Sequence, residues 1–160
     1  MPKVTKLSHA VLFVSDLARS LPFYEKALGL QLLAGRPGAA FLRAPGSENH
    51  HDLALMEVGP QALVPPQGSV GLYHLAWEVE TIEELAEAVE SLSELGALVG
   101  ASDHGATKSL YAKDPDGIEF EVLYRIPREA WGEWESAVTT RPLDLGAEVA
   151  RFGKQASAAN

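Results

Sequence analysis

A chain of 160 residues, 46% hydrophobic and 22% charged with mean hydropathy near zero, has the composition of one water-soluble domain with a core of its own. It has no cysteine, which excludes disulfides, thiolate nucleophiles and cysteine-held metals and leaves His, Asp and Glu as metal donors. Thirteen Lys and Arg against 22 Asp and Glu give a formal charge of −9, which repels phosphate backbones, so no nucleic-acid partner is expected. No apolar run approaches the roughly 20 residues of a membrane span, and the start MPKVTKLSHA has no signal-peptide core. The expectation is a cytoplasmic protein with no membrane partner.

Lys6 to Val14, around LSHAVLFV, is dense in β-branched and aromatic residues and reads as a buried strand. A helix follows, with Ser20 as N-cap, Pro22 in the first turn, an end at Leu28 and Gly29 as its stop. Short strands are predicted around Leu30–Ala34 and Ala39–Arg43, on either side of a turn from Gly35 to Gly38. HHDLALMEV, from His50 to Val58, is predicted as a fourth strand.

The Pro- and Gly-rich GPQALVPPQGS reads as a linker, and the order then repeats. GLYHLAWEVE is a strand, and TIEELAEAVESLSEL a helix with a capping box from Thr81 to Glu84 and a stop at Gly96. Strands are predicted near Ala97–Ser102, Lys108–Lys113 and Ile118–Tyr124, with DPDG as the last turn. His9 matches His74, 65 residues on. The fold class is therefore α+β, two tandem βαβββ modules forming a curved, trough-like mixed sheet with helices outside. Module one covers residues 1–60, the linker 61–69 and module two 70–125. Residues 126–160 form a tail, with a short helix carrying Trp131 and Trp134 and a disordered end at KQASAAN.

By strand alternation His9 shares a face with Leu7, Val11 and Phe13, and His74 with Leu72 and Ala76. Such a histidine is more often a core residue than a ligand. Glu121 sits in the strand IEFEVLY, where a carboxylate is costly unless paired or metal-bound. If the strand is an edge, Glu119 and Glu121 are simply solvated. Spacing leaves both readings open.

The span from Leu7 to Tyr124 resembles the vicinal oxygen chelate superfamily, which includes glyoxalase I, fosfomycin-modifying enzymes, bleomycin-binding proteins and type I extradiol dioxygenases. The resemblance is carried by LSHAVLFVSDLARSLPFYEKALGL, GLYHLAWEVE and LYAKDPDGIEFEVLY, the last being the most specific. It implies a single domain of that kind over residues 1–125, with His9, His74 and Glu121 as metal ligands. Two histidines and a carboxylate with open positions are the donor set of non-haem Fe(II) oxygenases.

Within the superfamily the extradiol branch is the most similar. Its histidine beside the metal matches His51, with His50 as a neighbour; its tyrosine ten residues before the carboxylate ligand matches Tyr111; its further His-Gly resembles His104-Gly105. The resemblance implies ring cleavage of a catechol-type aromatic diol with O2. His51 would carry protons, Tyr111 would hydrogen-bond the substrate, and His104 would steady Tyr111. Fe(II) is the implied metal, with Mn(II) as a substitute.

A glyoxalase I-like isomerase or epimerase, using Ni(II) or Zn(II), would need a fourth ligand from LALMEV, where only Glu57 is available. An antibiotic-modifying or sequestering protein gives no role to His51 and Tyr111. A homodimer is expected, with Trp131 and Trp134 as candidates to support it.

Overall fold

The structure is a computed structural model that describes residues 1–66 and 68–154. The chain runs β1 (Ala10–Val14), α1 (Leu17–Leu28), β2 (Gln31–Arg36), β3 (Ala39–Arg43), β4 (Leu53–Glu57), β5 (Leu75–Val79), α2 (Ile82–Glu94), β6 (Leu98–Asp103), β7 (Thr107–Lys113), β8 (Glu119–Arg125) and α3 (Leu145–Phe152). The βαβββ order thus occurs twice, in an α+β fold. The chain divides into two compact units at the Ser69–Val70 junction, and each has a four-stranded mixed sheet of its own.

The two sheets are built alike. Their orders are β1-β4-β3-β2 and β5-β8-β7-β6, with the first pair in each parallel and the other two antiparallel. Even the irregularity repeats: a register shift falls between Leu32 and Ala34 in one sheet and between Leu98 and Gly100 in the other. One face of the first sheet buries Leu12, Val14, Leu42, Leu53 and Leu55, with Phe23, Tyr24 and Ala27 buried along α1. The other face turns Val11 and Phe13 to solvent.

Several boundaries differ from the sequence expectation, each for a local reason. β1 begins at Ala10, because its partner β4 begins at Leu53 and the Ala10 N–H already donates to the Asp52 carbonyl. His9 therefore stands one residue ahead of β1. His74 stands one ahead of β5 in the same way. β4 cannot start earlier, since the Asp52 carboxylate bends the chain by accepting hydrogen bonds from Ala44 N–H, Ser47 Oγ and Asn49 Nδ2 at 2.7–2.8 Å. That leaves His50 and His51 in a loop.

α1 begins before the predicted Ser20. Asp16 caps it by accepting from Ala18 N–H at 2.9 Å, and Glu57 Oε2 accepts from Leu17 N–H at 2.8 Å. Pro22 consequently lies inside the helix, where it removes only one donor. Gly29 ends α1 in the left-handed conformation at φ 64°. The Thr81–Glu84 capping box forms as predicted.

β8 lies between β5 and β7, so it is not an edge strand, and Glu121 is only 7% exposed. Beyond β8 the predicted short helix is a pair of 3₁₀ turns, Arg128–Ala130 and Gly132–Glu135, because Trp134 bonds back three residues to Trp131 rather than four. α3 was not anticipated. Asp144 caps it through Ala147 N–H, and it packs on α2. Of the predicted disordered end, residues 155–160 lie outside the described residues.

Candidate functional site

In the first unit, the loop tethered by Asp52 lays the His51 ring against two neighbours. Its centroid is 4.4 Å from that of His9 and 5.3 Å from that of Phe41. His50 Nδ1 stands 3.0 Å from His51 Nδ1, so one of the two rings donates there and the other accepts. Burial, then the neighbouring His9 and His50, push the His51 imidazole below its ordinary value, with Asp52 opposing. His51 is thus neutral at pH 7 and free to take a proton.

In the second unit, β5, β8 and β7 place Ala76, Glu121 and Tyr111 side by side in one row across the sheet. His74, two residues before Ala76, shares that face. Its Nε2 is 3.1 Å from Glu121 Oε2, and its ring lies 5.8 Å from the Tyr111 ring and 4.7 Å from Tyr73. Tyr111 Oη is 2.8 Å from His104 Nε2. Burial, then the charge of Glu121, raise the Tyr111 hydroxyl above its ordinary value, so it keeps its proton at pH 7.

The His74–Glu121 pair fits one side of a metal centre. Two donors about 2.1 Å from an ion and at right angles to each other stand about 3 Å apart. His74 Nδ1 is buried without a hydrogen-bond partner among the described residues, which leaves a polar atom for water or a ligand group. His9, the third predicted ligand, lies in the first unit beside His51. Among the described residues no group of three or more His, Asp or Glu side chains is gathered closely enough to hold a metal ion. The structure therefore joins His9 with His51, and His74 with Glu121, Tyr111 and His104.

The sequence missed three parts of these surroundings. Tyr73 packs on His74 while its hydroxyl bonds Glu119. Asp52 holds the His51 loop. The segment after β8 reaches His104, whose Nδ1 lies 2.9 Å from the Thr139 carbonyl oxygen. The alternation around Leu72 and His74 could have pointed to Tyr73; a backbone carbonyl leaves no sequence signal.

The doubled βαβββ frame has counterparts among known proteins. The sequence model of the Glyoxalase/Bleomycin resistance protein/Dioxygenase superfamily matches residues 6–122. The chain belongs to this superfamily. It is 36% identical over 145 residues to a catechol-2,3-dioxygenase of Bacillus subtilis (strain 168), covering 88% of this chain and 50% of that protein. It is 25% identical over 130 residues to a manganese-dependent 2,3-dihydroxybiphenyl 1,2-dioxygenase of Geobacillus genomosp. 3, covering 79% of this chain and 38% of that protein. The chain thus spans about half, or less, of the length of these curated relatives. Among solved structures, a glyoxylase/bleomycin resistance protein/dioxygenase domain from Frankia sp. EAN1pec superposes with TM-score 0.64 at 25% identity, covering 79% of this chain and 96% of that one. The superfamily thus embraces both dioxygenases and glyoxalases, and a relative in it is named for its manganese dependence.

Proposed function

We propose that this protein is an extradiol dioxygenase that opens the ring of a catechol-type diol with O2, using a divalent metal held by His9, His74 and Glu121. The observation that carries the reading is the row on the second sheet, where Glu121 and Tyr111 pair across strands with His74 on the same face and His104 behind Tyr111. A buried carboxylate 3.1 Å from an imidazole is the expected spacing of two neighbouring ligands. Two histidines and one carboxylate suit Fe(II), with Mn(II) close in preference. Bound there, the ion would supply Lewis acidity and a common site for the diol and O2.

The chain's own groups divide the remaining work. His51, neutral and beside His9, takes a proton from the diol and returns one later. Tyr111, un-ionised at pH 7, hydrogen-bonds a substrate hydroxyl that donates to it, and His104 holds it in place. Glu57 weighs against the glyoxalase-type alternative. Its carboxylate is engaged by Leu17 N–H at the start of α1, away from the role of a fourth ligand.

The test is anaerobic reconstitution with Fe(II), Mn(II), Ni(II) and Zn(II), followed by a panel of catechols. A yellow ring-fission product with Fe(II) or Mn(II), lost in His74→Ala, is expected. Activity confined to Ni(II) or Zn(II) on a hemithioacetal overturns the reading. His51→Phe should keep the metal content and slow turnover by about 10²–10⁴-fold, the range for a lost acid–base group.

A further inference from the structure

The segment after β8 is tied back across the turn that carries His104. Asp103 and Arg141 exchange two backbone hydrogen bonds, at 2.8 and 3.0 Å. The Asp103 carboxylate also accepts from the Arg141 guanidinium at 3.1 Å, from Lys108 Nζ at 2.5 Å and from Gly105 N–H at 2.8 Å. Lys108, itself 2% exposed, lies 3.5 Å from Glu148 of α3, which adds a second anchor. Gly105 has φ +80°, and the Trp134 ring lies so close that any Cβ there would collide with it. The Arg141 guanidinium lies over the Trp134 ring, 5.0 Å from its centroid.

What this strap delivers to His104 Nδ1 is the Thr139 carbonyl oxygen at 2.9 Å, with the Thr140 hydroxyl farther off at 3.4 Å. The Thr139 carbonyl can only accept, so His104 Nδ1, 2.9 Å away, must carry a proton. In the neutral ring Nε2 then has only a lone pair, and the Tyr111 hydroxyl 2.8 Å away must donate to it. Free histidine in water favours the opposite, Nε2–H tautomer. With that tautomer, His104 would donate to Tyr111 and lose its contact with Thr139.

We propose that the C-terminal strap, residues 126–152, is a positioning part of the site: its Thr139 carbonyl fixes His104 as the Nδ1–H tautomer and so commits the Tyr111 proton to His104. Tyr111 then presents lone pairs to whatever binds, and prefers a ligand group that brings its own proton, such as an un-ionised hydroxyl. The catalytic consequence rests on the dioxygenase reading; the tautomer does not.

Long-range ¹H–¹⁵N correlation spectra of the full chain, freed of paramagnetic metal, read the tautomer directly. The wild type is expected to show His104 protonated at Nδ1 and bare at Nε2. Tyr111→Phe should leave that pattern intact, because the strap alone sets it. Combining Arg141→Ala with Trp134→Ala should shift His104 toward Nε2–H and lower kcat about tenfold at unchanged metal content. A wild-type Nε2–H tautomer, a switch caused by Tyr111→Phe, or a strap variant with tautomer and kcat both unchanged overturns the proposal. If the tautomers behave as stated and no diol is turned over by the wild type, the dioxygenase reading fails and the strap stands.

Discussion

The two units are the same frame carrying different chemistry. The row Val11, Ala54, Phe41 and Ala34 in the first sheet corresponds to Ala76, Glu121, Tyr111 and Gly100 in the second, each ending at an equivalent register shift. A histidine stands two residues before the first member of each row. Only the second row then adds a carboxylate and a hydroxyl; the first keeps alanine and phenylalanine, with Ala54 fully buried. The duplicated βαβββ unit supplies equivalent positions, and the two copies fill them with different side chains. The histidine-bearing turns follow a similar logic, Asp52 holding the one beside His51 and Asp103 the one beside His104, yet their partners differ. Asp52 is held by neutral groups, whereas Asp103 meets two cations, Lys108 and Arg141.

Changing matched positions separates frame from chemistry. The largest effect is expected from Glu121→Ala, which should abolish metal retention and turnover on the proposed ligand set. Ala54→Ser, at the matching position of the first unit, should leave both intact and cost about 1 kcal/mol for a buried hydroxyl. Metal analysis beside urea unfolding distinguishes the two, and retained metal in Glu121→Ala would remove Glu121 from the ligand set.

The acidic anchors come next. Asp103→Asn should destabilise by about 3 kcal/mol, because the buried Lys108 loses its nearest counter-charge, whereas Asp52→Asn should cost about 1 kcal/mol. Both carboxyls are held below their ordinary value against the opposing effect of burial, Asp52 chiefly by neutral hydrogen bonds and Asp103 by cations as well. Burial alone would raise the Asp103 carboxyl, but its hydrogen bonds from Lys108 and Gly105 and the charges of Lys108 and Arg141 outweigh it and hold the carboxyl below its ordinary value. Its contribution is therefore complete above the usual carboxylate range, about pH 4, and is lost as pH falls through the lowered value. Trp134 fluorescence, read during acid titration, should report release of the strap, and Asp103→Asn should flatten that response.

The smallest effects separate the two helices. Asp16→Ala and Thr81→Ala each remove an N-cap and should cost about 1 kcal/mol. The Thr81 change should exceed the Asp16 change slightly, since it breaks a reciprocal capping box while Glu57 still serves Leu17 in α1. Equal Tm losses would show that Glu57 contributes nothing to the start of α1.

Legibility in the sequence followed the range of the interaction. The Thr81–Glu84 box and the DPDG turn, where Asp114 Oδ1 accepts from Asp116 and Ile118 N–H, involve residues within four positions of one another and were read correctly. The start of α1 was misread because Pro22 drew the cap to Ser20, although Asp16 and the distant Glu57 together provide one four residues earlier. The strands carrying His9, His50 and His74 are predicted from Lys6, His50 and Gly71, too early in each case, because pleated, apolar sequence extends beyond the point where a partner strand exists to pair with it. α3 escaped notice since eight residues form too short a helical pattern without the α2 surface they pack on.

By itself the sequence determined the doubled βαβββ order, the equivalence of His9 and His74, and which residue types could hold a metal. These follow from periodicity, caps and turns, which act over a few residues. Tertiary structure alone decided that β8 is central, which buries Glu121 and makes its carboxylate need a partner. It also decided that Glu121 and Tyr111 share a row, and that a carbonyl 35 residues from His104 sets the polarity of its hydrogen bonds. Strand order and backbone acceptors are long-range properties, and no local pattern encodes them.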